Sequence, residues 1–226
     1  VYDVHYLGVN AGTAVLAVLD KLTLNGREVY PILSTAQSND FVSLVYPVNN
    51  RIESYLDVNG LYSHMLNVKQ REGKRKRIKK IEFDQEAHKA LQTKDGAHEV
   101  FDIPPNVNDS LSSLYYFRTH KNISVGQSVF IDVHESQKNW KLEIRVLGKE
   151  KVTTPLGTFD TLKVQAMPRY EGIFLNKSDL FIWVTDDDRK IPVLMKSKIK
   201  VGSITVILIS KQEGQISPRF VAPPFP

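Results

Sequence analysis

"NDSLSSLYYFRTHK", Asn108 to Lys121, carries helical spacing in a chain that otherwise alternates like β-strand. Asp109 follows the helix-breaking run "IPPNVN" and is a good N-cap, because its carboxylate can accept from first-turn N–H groups. Leu111, Leu114, Tyr115 and Arg118 then recur at helical intervals, and Gly126 and the strand-like "SVFIDV" close the segment. A helix of about ten residues is roughly 15 Å long, enough to cross about three strands. Two readings follow. In one the helix is a plug that buries Leu111, Leu114 and one or two of its aromatics against a curved sheet. In the other Tyr115, Tyr116 and Arg118 form part of a ligand pocket mouth.

Working outward, "WKLEIRV" places Trp140, Leu142, Ile144 and Val146 on one face and Lys141, Glu143 and Arg145 on the other. "IPVLMKSKIKV" predicts the same alternation, with Ile191, Val193, Met195, Ile199 and Val201 opposed to Lys196, Lys198 and Lys200. Turn signals separate such runs: Asn25-Gly26, Asn59-Gly60, Gly73, Asp95-Gly96 and Pro155-Leu156-Gly157. About a dozen strands joined mainly by hairpins are expected, hence a mostly antiparallel sheet. "AVLAVL" from Ala14, "LFIWV" from Leu180 and "ITVILI" from Ile204 are apolar on both faces, so something must cover their second side. An interior of that kind is larger than ten helical residues fill. A pocket is therefore expected among the helix residues Leu114, Tyr115, Tyr116 and Arg118, the Leu180–Val184 strand with its Trp183, and the Ile204–Ile209 strand.

The fold reading is all-β: a single curved antiparallel sheet or open β-barrel or roll with one short helix packed against it. Residues 1–211 form one domain, and 212–226, containing "SPRFVAPPFP", form an extended Pro-rich tail that Phe220 and Phe225 could anchor. The chain opens on Val1 rather than Met, as expected of a processed or trimmed N-terminus. The absence of cysteine excludes disulfides, thiolate metal sites and cysteine nucleophiles. No stretch approaches the apolar length of a membrane-spanning helix.

The order of "YLGVNAGTAVLAV", "DSLSSLYYFR", "TPLGTFDTLKV" and "IWVTDDDRKIPVLMKSKIKVGSITVIL" resembles the exported bacterial family called domain of unknown function 3108. The resemblance runs from Val1 to about Ser210. It implies a periplasmic or otherwise exported envelope protein with a mainly antiparallel β domain, and it brings no catalytic residues with it.

The usual catalytic constellations are missing: no G-x-S-x-G elbow, H-E-x-x-H pair, P-loop or dinucleotide fingerprint. His5, His64, His88, His98, His120 and His134 are scattered without metal-ligand spacing, so neither a metal nor a cofactor is expected. "TDDDRK", Thr185 to Lys190, reads as a hairpin turn, with an oxygen-ligand cation site as the alternative.

Net charge is +5, yet "KQREGKRKRIKK" from Lys69 to Lys80 alone holds eight Lys or Arg against one Glu. It reads as two strands meeting near Glu72-Gly73, with Ile81 and Phe83 sharing one face of the return strand. Lys74, Arg75, Lys76, Arg77, Lys79 and Lys80 are expected to project from it. They either protect an exposed edge or contact an anionic surface such as lipid or an envelope polymer, with peripheral membrane contact. Nucleic acid is not the expected partner, because base-stacking aromatics do not interleave with these residues. The functional expectation is a non-enzymatic envelope binding or scaffold protein holding an apolar or lipid-like ligand. The alternatives are an enzyme acting on envelope polysaccharide, for which no carboxylate pair can be named, and a structural interaction module. Oligomeric state is not fixed by any of these features.

Overall fold

The computed structural model of the chain describes residues 1–135, 137–170, 173–174, 180–199 and 201–213. Two antiparallel meanders follow one another. The first comprises β1 (Tyr2–Tyr6), β2 (Val9–Val18), β3 (Leu22–Leu24), β4 (Arg27–Ser38), the short helix α1 (Asp40–Ser43), β5 (Val48–Asp57), β6 (Ser63–Glu72), β7 (Arg75–Asp84), β8 (Lys89–Lys94) and β9 (Ala97–Asp102). After α2 (Ser110–Arg118) come β10 (Ser128–Glu135), β11 (Lys138–Thr154), β12 (Gly157–Tyr170), β13 (Ile173–Phe174), β14 (Leu180–Thr185), β15 (Pro192–Lys198) and β16 (Ser203–Leu208). All belong to one sheet of 16 strands. β1 pairs with both β2 and β16, which joins the meanders and leaves β9 and β10 as the edges. The opening stretch of sequence is the connection between those two edges.

The sheet curls until β9 and the segment after it meet β10 and the start of β11 through side chains and, among the described residues, one short bridge from Asn108 to Val133. Asn139 Nδ2 donates to the Asp102 carbonyl at 2.7 Å. The Asn108 N–H donates to the Asp132 carbonyl at 2.8 Å, and the His134 N–H to the Asn108 carbonyl at 2.9 Å. His134 sits in this seam against Phe83 and Phe101, and burial lowers its pKa and holds it neutral. Lys79 is also buried in the seam, paired with Glu135 at 3.1 Å. It therefore does not project with its basic neighbours. It shares a strand face with buried Ile81 and Phe83, where only a carboxylate partner makes a lysine tolerable.

α2 lies inside the curl, with Asp109 as its N-cap, as its sequence predicts. Phe117 is fully buried among Val129, Ile131, Leu142, Ile144, Ile182 and Val184 of the second meander. Leu111 and Tyr115 pack on Ile32 and Leu56 of the first, and Leu114 touches both groups while only partly buried. The helix thus ties the two meanders together, and its deepest anchor is Phe117 rather than Leu114. At the other end of the helix, the buried Asp109 carboxylate accepts from Ser54 Oγ at 2.6 Å, Ser63 Oγ at 2.7 Å and the Leu111 and Ser112 N–H groups at 2.8 and 2.9 Å. Burial pushes the Asp109 pKa up, and these hydrogen bonds oppose that shift.

The apolar second face of "LFIWV" is covered by a hairpin rather than by the helix. Ile182 and Val184 face Phe117, whereas Trp183 lies in a second cluster with Val152 and Val193. Phe159, Phe181 and Leu194 pack on that cluster. β11 and β12 extend well beyond their partners, shift register after Val146, and bring β11 against β15 although β12 and β14 separate them in the sheet. Trp183 Nε1 donates to Glu150 of the covering hairpin at 2.6 Å, and the Lys163 ammonium lies 4.9 Å from the indole.

Two alternating patterns break. Glu143, expected in solvent, is fully buried, because Ser128 donates to it at 2.7 Å and Arg145 and Arg169 close over it. Ile199 and Val201 leave the strand alternation because β15 ends at Lys198; they form an exposed turn in which the Ile199 N–H donates to the Gly202 carbonyl at 3.2 Å. α1 is a second helix that the sequence reading did not anticipate. Of the expected C-terminal tail, residues 214–226, Phe220 and Phe225 among them, lie outside the described residues.

Candidate functional site

One end of the roll holds a half-open cavity of about 400 Å³. Its walls come from three places that are distant in sequence: β1–β2 with Tyr2 and Leu16, the last turn of α2 with Tyr115 and Arg118, and Arg189–Pro192 with Leu208–Glu213. The curl brings them together because β1 and β16 pair, placing Tyr2 opposite Leu208. Leu16 and Leu208 supply apolar wall. Tyr2 donates its hydroxyl to the Pro192 carbonyl at 3.0 Å, which fixes the ring. Burial pushes the Tyr2 and Tyr115 phenols above their ordinary pKa, with the Arg118 charge opposing the shift at both. Both stay protonated at neutral pH, and the single Tyr2 proton is committed to Pro192.

Two arginines stand at the mouth. Arg118 Nε donates to the Arg189 carbonyl at 3.1 Å, and its guanidinium lies 4.8 Å from the Tyr115 ring centroid. No carboxylate among the described residues pairs with Arg118. Arg189 is neutralised, by Glu213 at 2.6 Å and Asp187 at 3.5 Å. The cavity therefore has apolar wall at Leu16 and Leu208 and three basic side chains, of which Arg189 and Lys211 share Glu213 while Arg118 has no carboxylate partner among the described residues. Glu213 is the one carboxylate on its wall among the described residues, and its ion pairs with Lys211 at 3.1 Å and with Arg189 lower its pKa and make it a poor acid.

Of the residues singled out in the sequence, Tyr115 and Arg118 line this cavity and Leu114, Tyr116 and Trp183 do not. Leu114 and Tyr116 pack into the core, and the Tyr116 ring stands edge-on to His120. Trp183 lies under the β11–β12 hairpin, bonded to Glu150, in a cluster that reaches Tyr2 and Leu208 of the cavity wall without itself lining the cavity. The Leu180–Val184 strand contributes nothing to the wall, because Phe117 covers its inward side chains; Leu208 represents the last strand. Tyr2 carried no signal in the sequence, Leu16 stood out only within the doubly apolar "AVLAVL", and Arg189 only within the "TDDDRK" turn. Their role exists only after β1 and β16 pair.

"TDDDRK" is a turn between β14 and β15. The Asp187 carboxylate accepts from Thr185 Oγ1 at 2.6 Å and from the Arg189 and Lys190 N–H groups at 3.1 and 3.0 Å. Those bonds occupy the oxygen that a cation would need, and among the described residues no group of three His, Cys, Asp or Glu could hold a metal ion. At the opposite end of the roll, Lys74, Arg75, Lys76 and Arg77 are exposed around the β6–β7 turn. Lys80 pairs with Glu82 at 2.8 Å.

These features define a helix-plugged, barrel-like β-roll with an apolar mouth cavity. The chain belongs to the family described as protein of unknown function (DUF3108), whose model matches residues 1–209. A similar solved structure is a β-barrel-like protein of domain of unknown function DUF1849 from Brucella abortus. It is 9% identical, covers 91% of this chain and 92% of its own, and superposes with a TM-score of 0.60, which supports the shared fold. No curated protein matches the sequence.

Proposed function

We propose that this protein is a non-enzymatic binding protein of the cell envelope that holds an amphiphilic ligand, an apolar chain with an anionic head, in the mouth cavity. The observation that carries the reading is the pairing of an apolar floor at Leu16 and Leu208 with the uncompensated guanidinium of Arg118. A volume of about 400 Å³ falls within the range of small-molecule sites. Arg118 is held in place by the Arg189 carbonyl and the Tyr115 face, so a carboxylate or phosphate head meets a preorganised donor. The envelope setting is part of the proposal and follows from the resemblance to an exported family.

The anionic, apolar dye anilinonaphthalene sulfonate tests this. Its fluorescence should rise on binding and fall when dodecanoate displaces it. Arg118→Ala should weaken binding by about tenfold, the equivalent of one charge-assisted hydrogen bond of roughly 1.4 kcal/mol. Leu208→Trp, which fills the floor, should abolish it. Equal dye binding by Leu208→Trp and the parent protein would place the ligand elsewhere.

A further inference from the structure

Successive connections of an antiparallel meander alternate between the two ends of a sheet. The cavity lies at the end bearing the β14–β15 turn. The other end presents the β15–β16, β1–β2, β4–β5 and β6–β7 connections side by side around the rim. They are joined into one surface. Tyr6 donates its hydroxyl to the Val201 carbonyl at 3.0 Å, Asn39 Nδ2 donates to the Asn10 carbonyl at 2.9 Å, and the Gly73 N–H donates to the Pro47 carbonyl at 2.8 Å.

Gly8, Gly73 and Gly202 serve three of these connections as ordinary turn residues, but the β4–β5 connection inverts the usual turn composition of Gly, Asn, Asp and Ser. The β4–β5 connection, "DFVSLVY", exposes Phe41 by 77%, Leu44 by 84% and Val45 by 87%. It is not loosely held. Asn39 Oδ1 caps α1 by accepting from the Val42 N–H at 2.9 Å, and the Ser38 and Ser43 hydroxyls meet at 2.7 Å. Ser38, Asn39 and Ser43 thus bond toward the protein, while Asp40 and the large apolar residues stand in solvent. Leu7, Val9 and Val201 continue the apolar surface across the next two connections.

On the other flank the Tyr46 ring lies over Gly73, where an added Cβ would stand 2.8 Å from it. Beyond Gly73 come exposed Lys74, Arg75, Lys76 and Arg77, and no carboxylate among the described residues pairs with any of them, whereas Lys79 and Lys80 below are paired.

From this arrangement we infer that the rim is a docking surface for an anionic lipid bilayer. Phe41, Leu44 and Val45 enter the boundary between headgroups and acyl chains, and the β6–β7 tip rests on lipid phosphates. Apolar side chains at the tips of separate connections suit a fluid interface, and a second copy of the chain would bring two basic tips together. The inference does not depend on the ligand reading; it turns the cavity mouth away from the bilayer.

Co-sedimentation with vesicles decides it, using phosphatidylcholine alone and an equal mixture of phosphatidylcholine and phosphatidylglycerol. Binding to the mixed vesicles should exceed binding to neutral ones by at least about tenfold. It should fall as the Debye length shrinks from about 10 Å at 0.1 M salt to about 3 Å at 1 M. Phe41→Ser with Leu44→Ser should cut binding by about tenfold or more. Replacing Lys74, Arg75, Lys76 and Arg77 with serine should remove the preference for anionic lipid. All six side chains are exposed, so both variants should keep the parent thermal midpoint. Phe41→Trp supplies a second readout, a blue-shifted emission that appears only with the mixed vesicles. Protein that stays in the supernatant with mixed vesicles at 0.1 M salt overturns the inference, as does equal pelleting with neutral ones. A self-associated species that Phe41→Ser with Leu44→Ser dissolves, without any vesicle binding, overturns it in favour of a second copy.

Discussion

Replacing Phe117 with alanine tests whether α2 ties the two meanders together. The ring is fully buried and touches strands from β10 to β14. A buried aromatic removes at least about 150 Å² from water. At about 25 cal/mol per Å² that is roughly 4 kcal/mol, most of which truncation forfeits. The strands around it are hydrogen-bonded into the sheet and cannot collapse into the space, so a cavity remains and the loss should fall at about 3–5 kcal/mol. Urea unfolding gives the value, read in parallel by far-ultraviolet circular dichroism and by tryptophan emission, since Trp140 packs on this same cluster. Leu114→Ala, at a partly buried site shared by both halves, should cost less, about 2 kcal/mol. A loss below about 1 kcal/mol for Phe117→Ala, or a larger loss at Leu114, would refute the claim that the last turn of the helix is the anchor.

Glu143 makes stability depend on pH. Its pKa is held below the ordinary 4.5: burial alone would raise it, but the Ser128 hydrogen bond and the Arg169 and Arg145 charges outweigh that. A depressed carboxyl pKa contributes stability above the unfolded value and loses it as pH falls through the folded one. Glu143→Gln should therefore cost about 2 kcal/mol at pH 7, less than a fully buried pair because both arginines reach solvent, and the gap should close in acid; a gap that does not change with pH would show that shape, not charge, matters there. Gly12, within the "YLGVNAGTAVLAV" stretch, leaves no room for a side chain, since a Cβ would stand 2.0 Å from the Gln37 carbonyl oxygen. Gly12→Ala should force β2 and β4 apart and lower stability by about 1–3 kcal/mol, and an unchanged thermal midpoint would contradict the close approach.

The periodic features were legible in the sequence: the strand faces of Leu142, Ile144 and Val146, the cap at Asp109, and the shared face of Ile81 and Phe83. Each depends on residues two to four positions apart. What escaped depends on pairing across the chain. Glu143 looks solvated until Arg169, on the neighbouring strand, closes over it. Lys79 looks like its basic neighbours until the seam brings Glu135 to it. Trp183 suggested a pocket because nothing local shows that the hairpin beyond Gly148 folds back over it. The cavity was half legible: Tyr115 and Arg118 stand out on a helix, whereas Tyr2 and Leu208 meet only when the first strand and the last one pair.

The central claim is that the mouth cavity holds an amphiphile, and native mass spectrometry of protein purified without detergent and then incubated with dodecanoate addresses it directly. The account predicts one added dodecanoate, or a retained ligand of the same class, per chain in the parent protein and none in Leu208→Trp. A spectrum in which the parent protein shows only the bare chain after incubation, or in which Leu208→Trp carries the same added mass, would contradict it.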